Sequence, residues 1–270
     1  MLSKPLGCQD IELPDDGSIE SLRRLDAALC VNLLRLSAGQ RCETPVALEV
    51  GVYRGGWTQT VLRNVHDAQV TGVDPYPFLD HEREFMTIRL KQAGLDHRFW
   101  LFAAWSDLPH GHQSPHLIHV DGEHSEDAVL RDLRRAEAIS CPQTVVAVDD
   151  WAAPFFVGVT AGVFRFIMQS SFRPFLITRK KIYLGRPPYA RHLQAELLEM
   201  TRSFDLGIRL QDHYGADMSP AGTYYVSSTE VRGHPVLVAT EINRVARSRL
   251  VRRLKRFVHR PRRIGSRDHA

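Results

Sequence analysis

Five short apolar runs, most of them separated by stretches of helical periodicity, constrain the fold of this chain more than any other feature. The runs are VALEVG, QVTGVD, RFWLFA, HLIHVD and TVVAVDD. Each is too short for a helix and too continuously apolar for a strand with one wet face, so each reads as a strand buried on both sides. Helical stretches fall at about Trp57 to Asn64, Glu82 to Ala93 and Ser125 to Ile139. Strands that alternate with helices imply a parallel sheet covered on both faces, an α/β doubly wound architecture.

The flanks are organised differently. About 17 opening residues rich in Pro, Asp and Gly read as an irregular arm, and Leu22, Leu25, Ala28, Leu33, Leu34 and Leu36 recur at helical spacing from Ser18 to near Gly39. That helix is expected to pack outside the sheet. Downstream, VGVTAGVFRFIM predicts a helix and PFLITRKKIYLGR a hairpin turning at Arg179 and Lys180. A helix from about Tyr189 to Arg202 follows, and TYYVSS and PVLVAT add further strands. The chain divides into an N-terminal arm and helix over 1–42, an α/β domain over 43–240 and a basic tail over 241–270.

Charge separates the tail from the domain. From Arg244 to Ala270 there are 11 Lys and Arg against one acid, Asp268, a net +10; the preceding residues carry 24 basic and 30 acidic groups, a net −6. Leu250, Val251, Leu254, Phe257 and Val258 recur at helical spacing among those arginines, so 244–264 reads as a basic amphipathic helix. It suits an anionic membrane surface, an acidic partner or the acidic body of its own domain, or else it is a solvated terminal helix. Nucleic acid is not indicated, because no aromatic interleaving or reading motif accompanies the charge. No apolar run approaches the roughly 18 residues of a membrane span, and the N-terminus turns acidic where a signal peptide would be apolar. Cys8, Cys30, Cys42 and Cys141 lie far apart without a C-x-x-C pair, which points to a reducing cytoplasm and no structural zinc.

The chemistry gathers at the strand ends. ALEVGVYRGG places Glu49, Gly51, Gly55 and Gly56 in a strand-to-helix turn, spaced E-x-G-x-x-x-G-G instead of the dinucleotide G-x-G-x-x-G. An acid beside such a turn suits a ligand with an amino or sulfonium group better than two phosphates; an ordinary tight turn is the plainer alternative. Asp74 in GVDPYPF lies 25 residues after Glu49, close to the interval of roughly 20 at which an acid binds ribose hydroxyls, though Asp-Pro also opens turns. Asp121 in HLIHVDGEH and Asp149 and Asp150 in TVVAVDDW end neighbouring strands about 4.8 Å apart. Three clustered carboxylates repel, and a raised pKa or a bound Mg²⁺, Mn²⁺ or Ca²⁺ resolves the repulsion. His124, three residues after Asp121, is a candidate general base, and Glu123 competes with it. Trp151, Phe155 and Phe156 either wall an acceptor pocket or pack on the sheet. The histidines at 110, 112, 116 and 119 do not form a metal set by spacing.

Together ALEVGVYRGG, GVDPYP, HVDGEHSEDAVLRDL and VVAVDDW resemble the class I S-adenosylmethionine-dependent methyltransferases, and within them the metal-dependent sugar O-methyltransferases of macrolide tailoring and the cephalosporin hydroxylase proteins. The resemblance covers about residues 45 to 185. It implies a Rossmann-like sheet of about seven strands whose last is antiparallel, with the methionine portion of S-adenosylmethionine over Gly51 and the ribose on Asp74. It implies adenine near AAWSDL, at Trp105 or Ser106, and Mg²⁺ on Asp121, Asp149 and Asp150. The expected activity is O-methyl transfer to a hydroxylated small molecule such as a sugar or glycosylated natural product. An inactive cofactor-binding module docking through its basic tail, or a hydroxylase-like relative, stands as the alternative. A nicotinamide oxidoreductase is disfavoured by the glycine spacing and the lack of a Tyr-x-x-x-Lys pair. A homo-oligomer in the cytoplasm, peripheral to a membrane through the tail, is compatible with these readings.

Overall fold

In a computed structural model of the chain, the five apolar runs lie side by side as expected and form the centre of one sheet. The structure describes residues 5–8, 10–14, 24–76, 80–109, 113–203, 208–210, 224–231 and 234–241. The strands are β1 (Val46–Val50), β2 (Gln69–Val73), β3 (Phe99–Phe102), β4 (Leu117–Val120), β5 (Val145–Val148), β6 (Arg173–Ile177), β7 (Ile182–Gly185), β8 (Ile208–Leu210), β9 (Tyr224–Val231) and β10 (His234–Glu241). The helices are α1 (Arg24–Arg41), α2 (Gly56–Asn64), α3 (Asp80–Gln92), α4 (Glu126–Ile139), α5 (Val157–Gln169) and α6 (Pro187–Ser203).

The sheet order is β3-β2-β1-β4-β5-β7-β6-β10-β9-β8. β1 to β5 pair in parallel, and β7 runs antiparallel between β5 and β6. The expected seven strands thus occupy one end of the sheet, and β10, β9 and β8 extend it beyond β6 to ten among the described residues. Two of those three were foreshadowed by PVLVAT and TYYVSS; β8, only three residues long, leaves no readable periodicity. The expected amphipathic helix over 244–264 lies outside the described residues, as do residues 18–23 at the start of the predicted first helix. Among the described residues, no helix is long and apolar enough to cross a membrane.

Strand alternation sorts the core into two layers. Ala47, Leu117, Val145 and Ala147 face α1, α2, α3 and α6, in one cluster with Val31, Leu34, Val61, Met86 and Leu193. Leu48, Ile118, Val146 and Val148 face α4 and α5, in a second cluster with Leu130, Leu133, Val163 and Phe166. α1 is buried almost all round, so it belongs to the core of the α/β unit. The same parity carries Glu49 and His119, paired across β1 and β4, into the α1 and α2 layer. That layer therefore holds charge inside an otherwise apolar core.

His116 precedes β4 and is fully buried. Its Nδ1 accepts from the Val46 backbone N–H at 3.1 Å. Burial pulls the imidazole down to about 4 from its ordinary 6.5. Because this pKa is depressed in the folded state, the unfolded chain binds the extra proton first, and folding stability declines as pH falls from 6.5 toward about 4. Denaturant titrations across that window are expected to show the decline, and His116→Gln, which keeps an acceptor for Val46, to flatten it. His119, depressed in the same direction by its burial, leaves part of the slope in the variant.

Candidate active site

The turn after β1 is built on left-handed backbone. Gly51 and Gly55 have φ of 80° and 73°, and Tyr53 has 49°. A Cβ on Gly51 would stand 2.0 Å from the Asp121 carbonyl oxygen, so the β1 turn and the β4 loop meet there backbone to backbone. At Gly55 a Cβ would lie 2.7 Å from Met86 Cγ. The Asp74 carboxylate holds this turn: Oδ2 accepts from the Val52 and Tyr53 N–H groups at 2.8 and 3.0 Å, and Oδ1 from Tyr76 N–H at 2.8 Å. Tyr76 then donates its hydroxyl to the Tyr53 carbonyl.

Glu49 sits beneath the turn, where the sequence suggested an acid facing the ligand. It is 2% exposed, because strand parity points it under α2. Its Oε2 accepts from Thr58 Oγ1 at 2.5 Å. Burial pushes its carboxyl well above the usual range. Trp105 turns toward α4, donating Nε1–H to Asp132 at 3.1 Å, and Ser106 donates to the adjacent Asp107. Neither shows a contact that singles it out for adenine.

The loop after β4 carries Asp121 and His124, and α4 starts directly behind it. Ser125 caps the helix, accepting from Ala128 N–H, and Glu126 and Asp127 place negative charge in its first turn. His124 Nε2 lies 3.5 Å from Asp121 Oδ1 and 3.9 Å from Asp150 Oδ2. Its ring rests on Phe156, centroids 4.0 Å apart. The hydrogen bond to Asp121 raises the His124 pKa above its ordinary value, against the effect of burial. Glu123 is held elsewhere, accepting from Ser125 and facing Arg131 on the surface. Of the two base candidates, only His124 stands among the acids.

The three carboxylates expected to share one cation are divided. Asp149 turns inward, where Lys181 Nζ lies 2.5 Å from its Oδ2, and its Oδ1 accepts from the Asp150 N–H. Asp150, at φ 50°, turns outward, and Lys180 Nζ lies 2.9 Å from its Oδ1. Two lysines from the β6–β7 turn thus offset the repulsion that the sequence suggested a cation would relieve. Lys181 holds Asp149 below the usual carboxylate range although burial opposes it, whereas burial, with Asp149 and Asp150 nearby, raises Asp121. Among the described residues, two sets of donor atoms remain close enough for a metal, each within 4.8 Å and both containing Asp121: His119, Asp121 and Asp149 inside, and Asp121, His124 and Asp150 outside. The outer set is partly exposed and combines one imidazole with two carboxylates; the two carboxylates suit Mg²⁺ or Mn²⁺, whereas the imidazole suits softer ions. In the inner set the Asp149 Oδ2 and His119 Nε2 atoms already face the Lys181 ammonium.

Lys180, Lys181 and His119 are the residues that strand-end reasoning missed. The turn TRKK read simply as a polar hairpin, and His119 as a strand residue; only the antiparallel placement of β7 beside β5 brings them together. His110 and His112 lie outside the described residues, and His116 is committed to the Val46 backbone. Trp151 packs edge-on against Phe164 and Phe156 against His124, while Phe155 is 92% exposed.

Residues 48–151 match a family model described as a methyltransferase domain. Among solved structures, the fold is similar to that of cofactor-bound Rv0187 from MTB, with a TM-score of 0.50, 14% identity, and 66% of this chain and 85% of that one covered. It is also similar to a Staphylococcus aureus protein described as a caffeoyl-CoA O-methyltransferase, with a TM-score of 0.51, 12% identity, and coverage of 62% and 84%. The O-methyltransferase TomG from Streptomyces achromogenes, solved with SAM, matches at a TM-score of 0.48 and 17% identity over 64% and 90% of the two chains. No curated protein matches the chain. The sheet around residues 48–151 thus has the fold of these solved structures.

Gly51→Ala is expected to destabilise the protein by on the order of 3 kcal/mol, because backbone cannot yield at a 2.0 Å approach. Gly94→Ala tests the conformational part alone, since Gly94 has φ 67° and open space around it; its cost should be about 1 kcal/mol. Urea denaturation of both variants checks the difference.

Proposed function

We propose that the chain is an S-adenosylmethionine-dependent O-methyltransferase acting on a hydroxyl of a small molecule, a sugar or glycosylated natural product being the favoured class. The observation that carries this reading is the backbone contact between Gly51 and Asp121, which sets a methyltransferase glycine turn directly beside the loop bearing His124. Gly51 and Gly55 keep the turn's backbone bare for the methionine portion, and Asp74 stands at the end of β2 where ribose hydroxyls are bound in doubly wound folds.

The sulfonium is already activated toward attack, so the protein's task is to orient the acceptor and take its proton. With Nε2 of His124 turned toward Asp121 and Asp150, its Nδ1 is the nitrogen left to receive that proton. The two carboxylates then stabilise the imidazolium that forms. Phe156 fixes the ring from one side. A divalent cation, where bound, would be held by the Asp121 and Asp150 carboxylates, leaving the His124 ring to take the proton, and would supply charge stabilisation to an acceptor oxygen. Asp149 supports this edge from within.

Calorimetric titration with S-adenosylhomocysteine tests the cofactor. Binding at about micromolar Kd is expected, lost in Gly51→Arg and weakened in Asp74→Ala, with NADH silent; no binding removes the reading. Binding without turnover on any hydroxylated acceptor would leave a cofactor-binding module. His124→Ala should lower kcat by roughly 10²- to 10³-fold while leaving S-adenosylhomocysteine affinity unchanged. Because the His124 pKa is raised, the neutral base is lost as pH falls through a value above 6.5, so kcat should drop on that acidic limb. Asp121→Asn should shift the limb toward lower pH.

A further inference from the structure

We propose that the Lys181 ammonium is the resident cation of the inner acid cluster, a positioning residue that occupies His119 and Asp149 and keeps a divalent ion off them. Lys181 is 1% exposed and immediately precedes β7. Since Val148 of β5 pairs with Ile182 of antiparallel β7, the next positions outward, Asp149 and Lys181, stand across from each other. Nζ lies 2.5 Å from Asp149 Oδ2 and 2.8 Å from His119 Nε2.

The histidine is fixed to receive that ammonium. Its ring stacks on Trp57, with centroids 4.7 Å apart and planes 6° from parallel. An ammonium only donates, so Nε2 is the accepting nitrogen and the ring proton belongs on Nδ1. Nδ1 faces Glu49 Oε1 at 3.5 Å and makes no hydrogen bond. A buried row therefore runs from Thr58 through Glu49 and His119 to Lys181 and Asp149, linking the helix behind the glycine turn to the acidic edge.

His119, Asp121 and Asp149 offer three donor atoms within 4.8 Å of one another, the spacing of a metal site, and the ammonium sits on two of them. Ammonium and divalent cation compete for the same lone pairs, so removing the first should open the place to the second. Lys180, one residue earlier in the turn, pairs with Oδ1 of Asp150 and leaves its Oδ2 facing His124 in the outer set.

The test is Mn²⁺ binding to the purified full chain, followed by loss of the free-ion electron paramagnetic resonance signal. Lys181→Met, unbranched and similar in length, should bind Mn²⁺ at least about tenfold more tightly than the unaltered protein, and Lys181→Met/His119→Ala should lose the gain. Lys181→Arg keeps a cation and should show no gain. In the unaltered background Asp149→Asn should leave Mn²⁺ affinity within about twofold, a measurement that stands even where Lys181→Met fails to fold. No gain in a folded Lys181→Met, or a tenfold loss on Asp149→Asn, overturns the proposal. It rests on the methyltransferase reading only for the role of this edge. Because the titration contains no methyl donor, its failure is distinct from a failure to bind S-adenosylhomocysteine.

Discussion

The ion pair between Lys181 and Asp149 sets the terms for the whole functional edge. Both groups are taken out of water between the sheet and α1, at a desolvation cost that only close pairing and further hydrogen bonds offset. Those partners are present: the Asp150 N–H donates to Asp149, and His119 receives the ammonium. Asp26 of α1 lies in the same layer, accepting from Thr178 Oγ1 at 2.6 Å, and Thr178 closes the turn from which Lys181 projects. With Asp149 committed inward, Asp150 is turned outward in a left-handed backbone conformation, which Asp tolerates better than most residues. The division of labour between adjacent acids follows from one buried charge.

A second constraint works on the opposite side of the edge. The β1 turn and the β4 loop touch backbone to backbone at Gly51, and Asp74 ties the turn to the end of β2 through three N–H groups. Three strand ends are thereby held rigidly, and His124 is presented from the loop just before α4. In the proposed reaction, positioning of this kind would leave the His124 ring little reorganisation to make. The glycine is thus required first by packing within the chain and only then by any ligand.

Much of this was legible in the residues. The central strands, α2 to α5 and the hairpin at Arg179 and Lys180 follow from hydrophobic periodicity, which is local and survives without knowledge of partners. The clustering of Asp121, Asp149 and Asp150 at one edge follows from parallel strand order. Other features were not legible. Glu49 reads as a ligand-facing acid until strand parity is combined with the position of α2. His119 reads as a bystander until β7 arrives beside β5. The Asp74 carboxylate serves the turn's own backbone, a role that spacing alone does not separate from ribose binding.

The amino-acid order by itself determined the alternation of buried strands with amphipathic helices and the placing of glycines and acids at strand ends, because those depend on neighbours within a few residues. Tertiary structure alone decided where the charges go. Lys181 is 32 residues from Asp149 and 62 from His119, and only the antiparallel insertion of β7 makes them neighbours. Electrostatics in a buried layer depends on distances across strands, and no local pattern in the chain encodes those distances.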